Sequence, residues 1–203
     1  GPHPLTGKML PIITGHELTA TVVEIGQEVE GIELGTRVAV HGILTCGRCS
    51  WCIRGNTSQC PFIAPIGFAR DGGLAEFLSW PASHLIPLPN HVSSEEAALV
   101  EPTSVAYHAF YKGCPQAGDS VAILGVGTVG ILVMQVAKAA DTKVFAIDLN
   151  QKKLDMAVRL GADATINAVT SDVAKVLKEL TDGVGPDIVI DCAGGPNTTN
   201  LAV

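Results

Sequence analysis

Six cysteines occur in the chain, and four of them, Cys46, Cys49, Cys52 and Cys60, crowd into one short stretch with the spacing C-x2-C-x2-C-x7-C. Zn²⁺ takes four thiolates in a tetrahedron, and short spacings let one loop wrap the ion. Gly47 and Gly55 allow tight turns in that loop, while Arg48 and Arg54 place positive charge beside the thiolates. Four protein ligands leave no open position, so such a zinc site is structural. Two rival readings stand beside it. Cys60-Pro61 also matches the end of a bacterial iron–sulfur run, although there the fourth cysteine follows after three residues rather than seven. Free or disulfide-bonded cysteines are the other, but clustered cysteines without a secretory context point first to metal. Cys114 and Cys192 match no ligand pattern and are expected to be buried structural thiols.

A second constellation can bind a nucleotide. Gly125-Val126-Gly127-Thr128-Val129-Gly130 is a G-x-G-x-x-G. Its meaning comes from the β-forming run Asp119–Leu124 before it and the helix-forming run Ile131–Ala140 after it. Gly125 would make the tight turn, Gly127 would admit a pyrophosphate, and Gly130 would let helix and strand pack closely. Thr128 and Val129 complete the cofactor-binding turn, where free N–H groups and the helix dipole favour phosphate. Lys143–Asp148 then reads as a second strand ending in an acid, 18 residues after Gly130. A carboxylate there accepts the ribose hydroxyls and repels a 2′-phosphate, which selects NAD over NADP.

The elements that position these residues differ between the two halves. In the second half, strand and helix alternate: a helix over Gln151–Leu160 with Leu154, Ala157 and Val158 on one face, stopped by Gly161; a strand over Ala164–Asn167; a helix over Ser171–Thr181 with Val173, Val176, Leu177 and Leu180 inward; and a strand over Asp187–Cys192. Such alternation implies a parallel sheet with helices on both faces. The first half shows short strand candidates at Leu18–Ile25, Arg37–Ile43, Ala75–Trp80 and Leu85–Leu88, the pattern of a β-rich, barrel-like domain. At the junction, Ser93-Ser94-Glu95-Glu96 is a capping box opening a short helix over Glu95–Val100. Pro102 is expected to begin the next helix at its first position, holding Glu101 at a break between helices where the domains meet.

Composition bounds the rest. At 203 residues the chain holds one or two domains and can bury an adequate core. A hydrophobic fraction of 47% excludes disorder, and a net charge of −7 argues against nucleic acid or an anionic membrane surface as partner. The uncharged run Ser120–Ala137 is long enough to resemble a membrane span, but Gly125, Gly127 and Gly130 interrupt it. Gly1–Lys8 lacks the apolar stretch of a secretory signal, so the expectation is a soluble, cytoplasmic protein.

Several of these pieces, with Gly15-His16-Glu17, Gly72-Gly73-Leu74-Ala75-Glu76 and Glu101-Pro102, resemble the zinc-dependent medium-chain dehydrogenases, in that family's order. Within it the sorbitol and butanediol dehydrogenase branch is the nearest likeness, and His3–Pro11 is similar to the start of 2,3-butanediol dehydrogenases. The resemblance implies an α/β chain. A GroES-like β-rich catalytic domain, incomplete, would occupy 1–103 with the zinc lobe at 46–60. A Rossmann-type doubly wound parallel sheet would occupy 104–203, truncated after its fourth strand. The resemblance further implies a second, catalytic zinc with His16 as ligand and Glu17 and Glu101 as the carboxylates beside it, either of which could enter the first shell. Zinc there would lower the pKa of a substrate hydroxyl, and NAD would accept the hydride. The substrate class implied is a secondary alcohol, a diol or polyol such as 2,3-butanediol or sorbitol. The full-length form is implied to be a homo-oligomer.

The sequence also departs from the family, whose pattern carries a catalytic cysteine in a Cys-Gly-x-Asp segment upstream of Gly-His-Glu. No cysteine precedes His16. The expectation is therefore an internal piece of a dehydrogenase. The alternative is a non-catalytic zinc- and nucleotide-binding pseudoenzyme fragment, which metal count would distinguish. A zinc-free quinone reductase conflicts with the cysteine lobe and His16. A nucleic-acid-binding zinc ribbon conflicts with the charge of −7.

Overall fold

The computed structural model describes residues 11–202. The likeness noted over His3–Pro11 therefore lies, except for Pro11, outside the described residues. The chain divides into two compact units between Glu101 and Pro102.

The first unit is built from short antiparallel strands. β1 (Thr19–Thr21), β2 (Arg37–Val40) and β5 (Leu85–Pro87) form a three-stranded sheet in the order β1-β2-β5. β3 (Ile43–Leu44) and β4 (Ala64–Pro65) form a separate pair. The run Arg37–Ile43 thus breaks into two strands, because the ladder changes partner at its middle. His41 N–H still bonds His84 C=O on the β5 side at 2.8 Å, whereas Gly42 C=O accepts Ile66 N–H on the β4 side at 2.7 Å. The expected strand at Leu18–Ile25 is shorter than its apolar pattern, although Val22 extends the pairing through bonds to Thr36 and Gly35. Ala75–Trp80 is not a strand: no described residue provides it a ladder, and Phe77 is exposed.

Between β3 and β4 sits α1 (Ser50–Ile53) with the cysteine loop around it. The capping box forms as expected. Ser93 Oγ accepts the Glu96 N–H at 3.1 Å and Glu96 Oε2 accepts the Ser93 N–H at 2.8 Å, opening α2 (Ser94–Ala98). The following helix, α3 (Val100–Lys112), corrects the expected junction. It begins two residues before Pro102, so the break falls at Leu99 and Glu101 lies in the first turn of α3. Proline is tolerated there because first-turn N–H groups have no partner within the helix.

The second unit is a parallel sheet. β6 (Ser120–Leu124), β7 (Lys143–Asp148), β8 (Ala164–Asn167) and β9 (Ile188–Asp191) stand in the order β8-β7-β6-β9. Between them run α4 (Thr128–Ala139), α5 (Gln151–Arg159) and α6 (Val173–Glu179), and α7 (Pro196–Leu201) follows β9. Strand alternation splits the core into two layers. Val121, Ile123, Val144 and Ala146 pack with Met134, Leu154 and Phe110 on one face. Ala122, Leu124, Phe145 and Ile147 pack with Val173 and Leu177 on the other. Val158 does not join Leu154 and Ala157, for it is 57% exposed. Leu154 and Ala157 alone carry the buried face of α5. Cys114 also departs from expectation: it is exposed, while Cys192 is half-buried against the core. Among the described residues, no helix is long and apolar enough to cross a membrane.

Side chains pin the strand ends. Asp187 Oδ2 accepts Ser120 N–H at 2.8 Å and Ser120 Oγ–H at 2.6 Å, tying β9 to β6. Asp163 Oδ2 accepts Val144 N–H at 2.7 Å and pairs with Lys138 Nζ at 2.9 Å. The Ser120 hydroxyl and N–H hold the Asp187 carboxyl below the ordinary aspartate range. Burial pushes Asp163 up, but Val144 N–H and Lys138 outweigh it and leave that carboxyl low as well. A carboxylate whose folded pKa lies below its unfolded value stabilises the fold fully above the unfolded value and less as pH falls through the folded one. The urea midpoint should therefore be flat from pH 7 to about 5 and fall below about pH 4. Asp187→Asn should lower the midpoint at pH 7 and flatten the acid decline, as urea titrations at a series of pH values would show.

Candidate functional site

The four-cysteine lobe assembles as the spacing requires. Cys49 Sγ lies 3.4 Å from Cys52 Sγ, Cys60 Sγ lies 3.6 Å from Cys46 Sγ, and Cys46 Sγ lies 4.0 Å from Cys52 Sγ. These separations rule out disulfides, which need about 2.05 Å. They bracket the ~3.8 Å edge of a tetrahedron with Zn–S bonds of about 2.3 Å. All four sulfurs lie within 4.8 Å of one another, and the set can hold a metal ion. The backbone turns its N–H groups onto the sulfurs: Cys52 N–H onto Cys49, Cys46 N–H onto Cys60, and Phe62 N–H onto Cys60, at 3.4–3.5 Å. Such donors stabilise thiolate charge. The Cys46 thiol is drawn down to about 6, first by the Arg48 N–H, while desolvation and Cys49 push Cys52 up to about 11. Arg54 is turned to its own helix. Its guanidinium stacks 4.7 Å over the Trp51 ring and its Nε bonds Ser50 C=O at 2.9 Å.

His16, Glu17 and Glu101 also come together. The His16 imidazole and the two carboxylates place ligand atoms within 4.8 Å of one another, a second group able to hold a metal ion. His16 and Glu17 lie just before β1, and Glu101 arrives from the first turn of α3. Burial pushes the Glu101 carboxyl up; His16 opposes that shift and Glu17 adds to it. Glu17 is exposed, whereas Glu101 is half-buried. The two carboxylates therefore meet the cluster from different environments. Phe68 packs edge-on against the His16 ring, with centroids 4.9 Å apart. Sequence reasoning missed Phe68, because nothing local marks an aromatic residue 52 positions away as a neighbour of His16.

What holds His16 in place is backbone against backbone. Gly72 N–H bonds Ile13 C=O at 2.8 Å, Gly73 N–H bonds Gly15 C=O at 3.0 Å, and Leu74 N–H bonds Thr14 C=O at 3.0 Å. A Cβ on Gly72 would stand about 2.3 Å from Gly15 O and 2.5 Å from Thr14 O. The Gly-Gly pair is thus a brace for the residues that carry His16.

The Gly125–Gly130 turn lies wholly in the second unit. β6 ends at Leu124, and Gly125 turns the chain with φ +87°. A Cβ on Gly130 would stand about 2.0 Å from Gly125 O, so only glycine lets α4 start this close to the strand. Gly127, the N-cap of α4, has no atom within 4 Å of where its Cβ would be, and no side chain caps the helix. Thr128 and Val129 follow as the first residues of α4. Open space and uncapped N–H groups are what a phosphate group needs. Asp148 ends β7 with its side chain only 9% exposed. Its Oδ2 accepts Val126 N–H at 2.9 Å, its Oδ1 accepts Asn150 N–H at 2.9 Å, and Lys153 Nζ lies 3.5 Å away. Burial pushes its carboxyl up, but the two amides and Lys153 together hold it below the usual range, so it is ionised at neutral pH. Two supports escaped sequence reasoning. Lys153 could have been found from its place in the helix opening just after the acid. Asp191 could not: its Oδ1 fixes Ala193 N–H at 2.9 Å, and Ala193 packs against Gly125 from a distant strand end.

Sequence comparisons agree with both halves. An alcohol dehydrogenase GroES-like domain matches residues 3–90, and a zinc-binding dehydrogenase domain matches residues 128–203. Together they define a two-part architecture of a β-rich GroES-like domain followed by a Rossmann-like parallel sheet. The chain thus carries, in order, the two domains found in zinc-type alcohol dehydrogenases. It is 35% identical over 189 residues to L-threonine 3-dehydrogenase from Shewanella frigidimarina, covering 93% of this chain and 55% of that protein. Among solved structures, galactitol-1-phosphate dehydrogenase from Escherichia coli superposes with a TM-score of 0.90 at 33% identity, over 96% of this chain and 56% of that one. The 2R,3R-butanediol dehydrogenase from Bacillus subtilis superposes with a TM-score of 0.89 at 34% identity, over 99% and 57%. The chain thus spans little more than half the length of these relatives.

The Gly72 brace makes a direct prediction. Gly72→Ala should force Thr14 and Gly15 away and move His16 off Glu17 and Glu101. A crystal structure of the variant should show that displacement, and calorimetry should show a melting temperature several degrees lower.

Proposed function

We propose that this chain carries the zinc and nucleotide sites of a dehydrogenase that oxidises a secondary alcohol with NAD. The observation that carries the reading is the His16, Glu17 and Glu101 cluster, one imidazole nitrogen and two carboxylates within 4.8 Å of one another. That donor set suits zinc, and three or fewer protein ligands leave a position for a substrate oxygen. Bound there, zinc would act as a Lewis acid and lower the pKa of a substrate hydroxyl. His16 and a carboxylate would hold the ion, with the half-buried Glu101 favoured over the exposed Glu17. Phe68 would border the substrate beside His16. The Cys46, Cys49, Cys52 and Cys60 lobe would hold a second zinc with no open position, in a purely structural role.

The nucleotide reading rests on Gly125–Gly130 and Asp148. The pyrophosphate would rest over Gly127 at the start of α4, and the ionised Asp148 would accept adenosine ribose hydroxyls and repel a 2′-phosphate, favouring NAD. When bound, NAD supplies the hydride acceptor. The names of the relatives point to a substrate class. Threonine, butanediol and galactitol phosphate each carry a secondary hydroxyl next to another polar-substituted carbon. A diol, polyol or similar vicinally substituted alcohol is therefore the proposed substrate, and a soluble homo-oligomer is the proposed state of the full-length form.

Metal analysis tests the zinc assignments. The purified chain should hold two zinc ions, and His16→Ala should hold one. One zinc in the unaltered chain, with no NADH formed from 2,3-butanediol, sorbitol or L-threonine, would favour a non-catalytic zinc- and nucleotide-binding role instead. Cys49→Ser should release the lobe's zinc and lower the melting temperature. Unchanged zinc content and unchanged melting would remove the structural-zinc assignment.

A further inference from the structure

Asp148 joins two turns. Val126, inside the phosphate turn, is 1% exposed, and its N–H is bonded by Asp148 Oδ2 at 2.9 Å across 22 residues of sequence. Asn150 N–H, in the turn after β7, is bonded by Oδ1 of the same carboxylate at 2.9 Å. The phosphate turn has one other tie to β7, Gly125 N–H to Ile147 C=O at 2.7 Å. Main chain fixes Gly125, and the Asp148 side chain fixes the next peptide. That peptide leads directly to Gly127, whose surroundings are open.

A carboxylate offers about four acceptor positions. Two of those on Asp148 serve backbone amides and Lys153 Nζ approaches Oδ2 at 3.5 Å, which leaves room for a ligand hydroxyl at the carboxylate. Removing the acceptor would leave a buried amide unpaired beside the phosphate site, a larger loss than removing charge alone. Resting on the proposed NAD site, we infer that Asp148 is also a positioning residue for the phosphate turn: it fixes the Val126 peptide, and through it the N–H groups that face the phosphates. Nucleotide binding then depends on Asp148 even when repulsion of a 2′-phosphate is of no use. Asparagine keeps an acceptor for Val126 and drops the charge. Alanine drops both.

The test compares the full chain with Asp148→Asn and Asp148→Ala, by two independent measurements. The first is amide hydrogen exchange at Val126 without nucleotide. The second is the Kd for NADH and for NADPH by nucleotide fluorescence. Exchange at Val126 should be slow in the unaltered chain, nearly as slow in Asp148→Asn, and about tenfold or more faster in Asp148→Ala. Asp148→Asn should bind NADPH more tightly than the unaltered chain does. Asp148→Ala should bind both nucleotides about tenfold or more weakly than Asp148→Asn. Asp148→Ser, too short to reach both amides, replaces the alanine variant if that one does not fold. Equal exchange at Val126 in all variants overturns the positioning role, whatever the binding data show. Altered Val126 exchange together with no nucleotide binding by the unaltered chain overturns the NAD assignment, and with it the dependence of binding on Asp148. Equal Kd values for the asparagine and alanine variants reduce Asp148 to a charge acting on the ligand alone.

Discussion

Everything in the second unit depends on one strand being dry on both faces. β6 is buried along its whole length, flanked by β7 and β9 and covered by a core layer above and below. A strand in that position cannot carry a site along its length, since any polar side chain there would need a buried partner. Chemistry is possible only where it ends. At Leu124 the chain leaves the core through Gly125, and β7 and β9 on either side end with it at Asp148 and Asp191. Sheet order runs outward in both directions from β6, so the topology reverses at β6, and open α/β sheets bind ligands beyond the strand ends at such a point. Apolar packing thus fixes where polar chemistry can occur.

The first unit solves the same problem with less secondary structure. Its strands are two to four residues long, too short to orient a site by themselves. Instead, the Gly72–Leu74 segment lies on Ile13–Gly15 with three main-chain hydrogen bonds and no intervening side chain. The cysteine lobe uses a related device, aiming N–H groups at sulfur. In both places the main chain supplies the precision that longer strands would otherwise give.

Sequence reading reached the parallel sheet almost completely, because its signals are local. Lys143–Asp148 and Ala164–Asn167 are apolar runs bounded by turn or charged residues, and each forms a strand over those residues. The cysteine lobe was legible for the same reason: its four cysteines come from one short stretch, and spacing alone constrains them. What was not legible depends on partners far along the chain. Ala75–Trp80 has the composition of a strand, yet composition cannot say whether a neighbour is available to pair with it. Arg37–Ile43 has one continuous pattern, but two different partners divide it. Glu101 was assigned by the rule that proline breaks helices, and the local rule lost to a helix that accommodates Pro102 in its first turn. The His16, Glu17 and Glu101 cluster was reached through resemblance, since no local signal joins a residue before β1 to one at the start of α3.

The three glycines of the phosphate turn look alike in sequence but answer to different pressures. Gly130 is fixed by the fold, for its neighbour Gly125 O leaves no room for a methyl group. Gly127 has a φ of −72° that any residue adopts, and nothing lies near it. Selection at Gly130 acts through whether the protein exists as a folded molecule. Selection at Gly127 acts only when something else enters the space. If a nucleotide is what enters that space, a lineage that gave it up could lose the middle glycine long before the last one, and the order of loss would record which constraint was relaxed first.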